Sequence, residues 1–172
     1  MTLLLLARHG ETDWNRDGRF QGHATTRLNE VGRVQSRALA EQLDGMELSA
    51  IYSSDLPRAL ETAEIVAASK GMEVLLEPAL REIDVGSWQG CTQVELEHAE
   101  WDGETYEQHR ERVLAAVRQI AALHAGGQVL LVTHGGSLRR VQEAALGEAL
   151  PVLANCDLYR LRFEGGVLRP LD

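Results

Sequence analysis

The 172-residue chain has little of several things: two cysteines, four prolines, one lysine (Lys70) and only 5% aromatic residues. Cys91 and Cys156 show no CxxC spacing and are too few to staple a chain of this length, which excludes a zinc ribbon or disulfide scaffold and points to a reducing, cytoplasmic setting. The N-terminal apolar run Leu3 to Ala7 has no basic flank and falls far short of the ~18 residues of a membrane span, so it reads as a buried strand, with no export signal and no membrane partner expected. No repeat, low-complexity tract, Pro/Gly/Ser-rich linker or composition break is found, so residues 1–172 are expected to form one domain.

Hydrophobic residues at 44% and charged residues at 25% mark a globular chain that must bury a core to work, about 70% of its unfolded surface at this length. The formal charge of -9 repels nucleic acid and anionic membrane, so no nucleic-acid partner is expected and any anion site must be local. The cations are almost all arginine, whose planar fork suits phosphate and carboxylate, although that bias alone decides nothing.

Short apolar runs without alternation, Leu3 to Ala7, Ile51 to Ser53, Val74 to Leu76 and Val129 to Thr133, predict strands buried on both faces of a parallel sheet. Asn29 can cap a helix with an apolar stripe of Val31, Val34, Ala38, Leu39 and Leu43, and Gly45 follows its end. Pro57 suits the first turn of a helix running through Leu60, Ala63, Ile65 and Val66 to a stop at Gly71. Val113, Leu114, Val117, Ile120 and Ala121 stripe a helix starting near Thr105, and another helix follows from about Gly136 to Leu146. The alternating tail from Asn155 to Phe163, then Gly165-Gly166 and Val167-Leu168, reads as an edge hairpin. The fold expected is α/β: a doubly wound, mostly parallel open sheet between helices, with its ligand beyond the carboxyl ends of the strands.

Three loops would meet at that edge: Arg8-His9-Gly10-Glu11-Thr12, Ser53-Ser54-Asp55-Leu56-Pro57-Arg58-Ala59 and Thr133-His134-Gly135-Gly136. Two histidines and two arginines gathered in an acidic chain need an anion to offset their repulsion, and phosphate fits. Gly135-Gly136 opens a helix whose free N–H groups would face the same spot. Taken singly, Arg8 can be a surface arginine, His9 a loop histidine, Arg58 a helix-start residue and Glu82 a solvated carboxylate; only their combination is specific. Competing chemistries fail on inspection: Cys156 to Arg162 matches Cys-x5-Arg but holds no glycine to cradle phosphate, and no GxxxxGK[ST] or GxSxG occurs. His23, His98, His109 and His124 lack ligand spacing and read as surface residues, so no metal and no cofactor are expected. Trp14 and Trp88 suit packing or a pocket wall equally and are left outside the site.

The chain resembles the histidine phosphatase superfamily, also called phosphoglycerate-mutase-like, in its short-chain phosphatase branch. The likeness rests on Arg8-His9-Gly10-Glu11-Thr12 with Trp14-Asn15, Gln21-Gly22, Leu28, Gly32, Gln35, Ser54-Asp55-Leu56 with Arg58-Ala59, and Thr62-Ala63. It continues through Leu80-Arg81-Glu82-Ile83, Gly86, Trp88, Gly90 and Val132-Thr133-His134-Gly135-Gly136, nearly the whole chain. It implies a three-layer αβα fold in which His9 attacks phosphorus and forms a phosphohistidine that water hydrolyses. Arg8, Arg58 and His134 would hold phosphoryl oxygens, with the two arginines disfavouring a second charge on His9. Glu82 matches the general acid, a role that needs the carboxyl protonated when the alcohol departs. Asn15, Gln21, Gly22 and Gly135 match binding positions.

Two departures bear on substrate contacts: Thr25-Thr26-Arg27-Leu28 replaces a common Asp-x-Pro-Leu, and Cys91 stands where an apolar residue is usual. The short acidic segment Gly90 to Thr105 replaces a larger cap and predicts an open pocket. The resemblance implies a metal-independent phosphomonoesterase acting on a small phosphorylated metabolite, with size and motifs like those of α-ribazole-5′-phosphate phosphatases. A cofactor-dependent phosphoglycerate mutase ranks second, since true mutases carry an added capping segment. A phosphohistidine-protein phosphatase would lack the acid that Glu82 supplies, and a non-catalytic phosphate-binding protein is opposed by the intact set. A strand near the tail is a candidate for pairing two subunits as a homodimer.

Overall fold

A computed structural model describes residues 1–148 and 150–171. Strand β1 (Thr2–Arg8) leads into one helical turn, α1 (Asp13–Arg16), then α2 (Glu30–Gln42), β2 (Ala50–Ser53), α3 (Pro57–Lys70) and β3 (Val74–Leu76). Three short 3₁₀ turns follow, at Pro78–Leu80, Gly86–Trp88 and Val94–Leu96. The chain continues through α4 (Tyr106–Leu123), β4 (Gln128–Thr133), α5 (Gly135–Leu146) and the hairpin β5 (Leu158–Glu164), β6 (Val167–Pro170).

The six strands lie in the order β3-β2-β4-β1-β5-β6. The first four are parallel, and the antiparallel hairpin closes one edge against β1. Because side chains alternate along a strand, β1 sends Leu4 and Leu6 to one face, where Val113, Val117 and Ile120 of α4 and Leu138 and Val141 of α5 cover them. It sends Leu5 and Ala7 to the other, against Leu39 of α2 and Ala63 and Val66 of α3. The result is the expected three-layer αβα sheet. Its order also sets β2, β4 and β1 side by side, with Arg8 opposite Thr133 and Ser53 opposite Val132, so the three loops emerge from one edge. Asn29 caps α2 through the Gly32 N–H, Pro57 opens α3, and Thr105 caps α4. Among the described residues no helix is long and apolar enough to cross a membrane.

Two expectations are corrected. Strand β3 is not buried on both faces: Leu75 and Leu76 are 45% and 54% exposed, because β3 pairs with β2 alone at the sheet edge. Of the expected stripe on α2, Leu39 and Leu43 are buried as expected, but Val31, Val34 and Ala38 face solvent, and Gly32, Ser36 and Ala40 complete the buried side instead. The reason is a backbone crossing: a Cβ on Gly10 would sit 2.5 Å from the Gly32 carbonyl oxygen, and one on Gly32 would collide with Glu11. The helix turns its smallest residue, not its most apolar ones, toward the loop after β1.

Gly32→Ala is therefore expected to destabilise the protein by about 1–3 kcal/mol in urea unfolding, the usual range for overpacking. Val34→Thr on the exposed side should stay within about 0.5 kcal/mol of wild type. Equal effects would contradict this orientation of α2.

Candidate active site

His9 is the first residue beyond β1, and its backbone is fixed from two sides. Its N–H donates to the Thr133 carbonyl at 2.9 Å, and its carbonyl accepts from Asn155 Nδ2 at 2.9 Å. The next N–H, on Gly10, donates to Thr62 Oγ1 at 3.0 Å. In the ring, Nδ1 lies 2.7 Å from the Gly10 carbonyl oxygen, which can only accept, so Nδ1 carries the hydrogen. Nε2 faces Arg58 Nε at 3.3 Å and accepts from it. Burial, then Arg58 and Arg8, hold the His9 pKa well below the ordinary imidazole value, against a smaller opposing effect of the Gly10 carbonyl. Burial is thus the largest single cause, ahead of each of the arginines that the sequence had suggested.

Arg58, in the first turn of α3, is 1% exposed. It is held by carbonyls: Nη1 donates to Ala24 at 2.9 Å and to Thr26 Oγ1 at 3.3 Å, and Nη2 to Gly22 at 2.8 Å. Burial pushes its pKa down to about 10, so it remains a cation at neutral pH. Thr26, one of the departures from the usual motif, thereby joins the Arg58 anchor. Arg8 ends β1, and its Nη1 donates to the Leu153 carbonyl at 2.7 Å. Burial lowers its pKa, with Glu82 and Asp157 opposing.

His134 follows β4 at the N-cap position of α5 and is fully buried, its ring centroid 5.2 Å from that of His9. Its Nε2 pairs with Ser54 Oγ at 2.9 Å. Burial, followed by Arg58, His9 and Arg8, holds its pKa well below the ordinary value. Two buried atoms here, Arg8 Nε and His134 Nδ1, have no hydrogen-bond partner. Such groups cost ~1–3 kcal/mol each when left unsatisfied, a cost that a bound anion or water would offset.

Glu82 accepts from the Ile83 N–H through Oε1 and from the Gly136 N–H through Oε2, both at 2.9 Å. A Cβ on Gly136 would strike this carboxylate, so only glycine admits it. The expectation of two free N–H groups at the start of α5 is corrected: the Gly136 N–H is taken by Glu82. Gly135 packs against Val152 and Arg8 instead, and neither it nor His134 lines the cleft.

The cleft, about 260 Å³, brings Arg8, His9, Arg58 and Glu82 together with Asn15, Gln21, Gly22 and Gly136, under a rim of Arg19, Phe20, Ile83 and Val85. Asn15 Oδ1 accepts from Asn155 Nδ2 at 3.3 Å and from the Thr12 N–H at 3.2 Å. Gln21 Oε1 accepts from Thr12 and Thr26, while Gly22, with φ +47°, leaves no room for a Cβ beside Val85. None of residues 90–105 lines the cleft. A wider hollow of about 430 Å³ between α2 and α3 contains none of the site groups. Among the described residues no three His, Cys, Asp or Glu side chains are gathered to hold a metal ion.

Several residues escaped sequence reasoning. Ser54 and Thr62 lay inside motifs but look ordinary, and Asn155 lies 146 residues from the backbone it holds. His109, read as a surface residue, is 2% exposed, with Nε2 2.9 Å from Ser137 Oγ and 3.9 Å from Glu82 Oε1. Its position four residues before Val113 continues the buried stripe of α4, a signal that was available. Trp14 sits beside Gly90, while Trp88 packs edge-on against Phe20 and Trp101; of these aromatics, Phe20 reaches the cleft.

The family model described as "Histidine phosphatase superfamily (branch 1)" matches residues 4–171. The chain is 38% identical over 179 residues to the metal-independent phosphoserine phosphatase of Arabidopsis thaliana, covering 90% of this chain and 75% of that one. It is 36% identical over 168 residues to phosphoglycerate mutase-like protein 4 of the same plant, covering 87% and 73%. The solved structure of Bacillus stearothermophilus YhfR superposes with a TM-score of 0.92 at 33% identity, covering 99% of this chain and 95% of that one.

Three buried histidines, His9, His109 and His134, set a pH dependence. All have folded pKa values below the unfolded value of about 6.5, so below that pH the unfolded chain binds more protons and stability falls as pH falls. The loss should continue down to the depressed folded values, at up to ~1.4 kcal/mol per pH unit for each histidine. Urea unfolding at about pH 7.5 and 5.5 checks this, and inorganic phosphate should lessen the loss by pairing with the buried cations. A flat profile would contradict it.

Proposed function

The chain belongs to the histidine phosphatase superfamily, branch 1, and from that premise we propose that it is a metal-independent phosphomonoesterase working through phospho-His9. The observation that carries this reading is the neutral His9 ring, with its hydrogen fixed on Nδ1 and its lone pair on Nε2, in the same cleft as Glu82. A phosphate ester seated against Arg8 and Arg58 takes the Arg58 hydrogen bond from Nε2 and frees the lone pair. Nε2 then attacks phosphorus, the P–O ester bond breaks, and protonated Glu82 gives its hydrogen to the departing oxygen. In the second half water attacks phosphorus, the P–N bond breaks, and Glu82 takes the water proton, which restores neutral His9 and releases phosphate. Each oriented donor on the transferring group can remove ~3–4 kcal/mol of barrier.

Hydrolysis is favoured over mutase chemistry because no part of residues 90–105 lines the cleft to shield a phosphoenzyme from water. The substrate is a small phosphorylated metabolite. Phosphoserine, named for the Arabidopsis phosphatase, belongs on a test panel with α-ribazole 5′-phosphate and 3-phosphoglycerate.

Phosphate release from this panel is expected to persist in chelator and to vanish in His9→Ala. Glu82→Gln should lose ~10²–10⁴-fold in kcat/KM on alkyl esters but far less in kcat/KM on p-nitrophenyl phosphate, whose leaving group needs no proton. Chelator-sensitive turnover, or turnover by His9→Ala, would overturn the mechanism. Phosphoryl exchange between phosphoglycerates without release would make the protein a mutase.

A further inference from the structure

Glu82 stands on irregular backbone between the 3₁₀ turn at Pro78–Leu80 and that at Gly86–Trp88, where no strand ladder supplies hydrogen bonds. Yet four successive carbonyls there are held by side chains. Arg112 Nη1 donates to Ala79 at 2.9 Å and to Arg81 at 3.0 Å, and its Nη2 donates to Glu82 at 3.3 Å. Thr133 Oγ1 donates to Leu80 at 2.7 Å, Ser137 Oγ to Arg81 at 2.9 Å, and His23 Nε2 to Glu82 at 2.9 Å. The donors come from α4, β4, α5 and the loop after α1. We infer that Arg112, locked by Glu104 and supported by this set of donors, is a positioning residue that aims the Glu82 carboxyl for proton transfer.

The inference rests on the reading of Glu82 as the general acid. Arg112 can act in this way because its own fork is fixed. Its Nε and Nη2 form a paired contact with Glu104 Oε1 and Oε2 at 2.9 and 2.6 Å. That carboxylate also accepts from the Asp84 N–H, while the Glu104 N–H donates to the Asp84 carbonyl at 2.8 Å. Arg112 of α4 and Glu104 just before it thereby grip the backbone on both sides of Glu82. Planar bidentate pairing leaves less rotamer freedom than a lysine would, and the third guanidinium nitrogen is spent on carbonyls rather than water. Ser137 adds a second tie: because its hydroxyl donates to Arg81, it must accept from His109 Nε2. Neither Arg112 nor Glu104 lines the cleft, so neither is placed to touch substrate. An angstrom of drift in a proton donor is enough to lose much of its contribution, which gives the tie a functional consequence beyond stability.

The test compares kcat/KM of Arg112→Met, Arg112→Lys and Glu104→Gln on an alkyl phosphate and on p-nitrophenyl phosphate, because kcat/KM reads the half-reaction in which the ester oxygen departs. Arg112→Met is expected to lower kcat/KM on the alkyl ester about 10- to 100-fold and on the aryl ester less than ~3-fold. Arg112→Lys should recover part of the loss. Glu104→Gln, which keeps the shape and removes the countercharge, should show the same ester selectivity more weakly and supplies the reading if Arg112→Met does not fold. Equal losses on both esters, or none, in the variants that fold would overturn the inference while leaving a selective Glu82→Gln result intact. A Glu82→Gln variant without ester selectivity would instead overturn the acid assignment, and the positioning role with it.

Discussion

The hydrogen bond from His9 Nδ1 to the Gly10 carbonyl, 2.7 Å long and sealed from water, is the contact on which the rest of the site depends. It decides which ring nitrogen keeps a lone pair. Its direction is set by backbone alone, so the Gly10 peptide must be placed to within tenths of an ångström. That placement reaches far into the fold: Thr133 and Asn155 grip His9, Thr62 grips Gly10, and the Gly10–Gly32 crossing brings α2 against the loop. The helix leaves Val31, Val34 and Ala38 in solvent as it makes that approach. Sheet order matters for the same reason, since β4 beside β1 supplies both the Thr133 carbonyl and His134.

The second constraint is cationic charge without countercharge. Among the described residues neither Arg8 nor Arg58 forms an ion pair; carbonyl oxygens of Leu153, Gly22 and Ala24 hold them instead. Dipoles can orient a buried guanidinium without cancelling its charge, leaving that charge for a ligand. Surface arginines behave differently: Arg33 pairs with Glu30 and Glu61, and Arg16 with Asp13 and Asp17, contacts worth little in water. Glu82, the one carboxylic side chain lining the cleft among the described residues, is turned toward backbone N–H groups rather than into an ion pair with either arginine.

Strands, helix caps and the three converging loops were legible because each is encoded locally: apolar runs, Asn29, Pro57 and Thr105 are short-range signals. That Arg8, His9, Arg58 and Glu82 come together was legible through motifs, although they come from distant parts of the chain, whereas His134 lies buried beside His9 without lining the cleft. What could not be read depends on who neighbours whom. Val74 to Leu76 has the composition of a central strand, and only sheet order shows that it is an edge. The apolar content of α2 placed Leu39 and Leu43 correctly but not Val31, Val34 and Ala38, because a glycine crossing helps to orient the helix. The Gly136 N–H looked free for phosphate until Glu82, 54 residues earlier, was found bonded to it. Asn155 gave no signal at all, being an isolated asparagine in a loop before β5.

The position of the phosphoryl group on a trapped phosphoenzyme reports directly whether His9 acts through Nε2. Rapid mixing with a good ester, quenching at alkaline pH where phosphohistidine survives, and phosphorus NMR with peptide mass analysis would assign residue and nitrogen. The geometry requires the phosphoryl group on His9 Nε2. A phosphoryl group on Nδ1, on His134 or on no histidine during turnover would contradict the account.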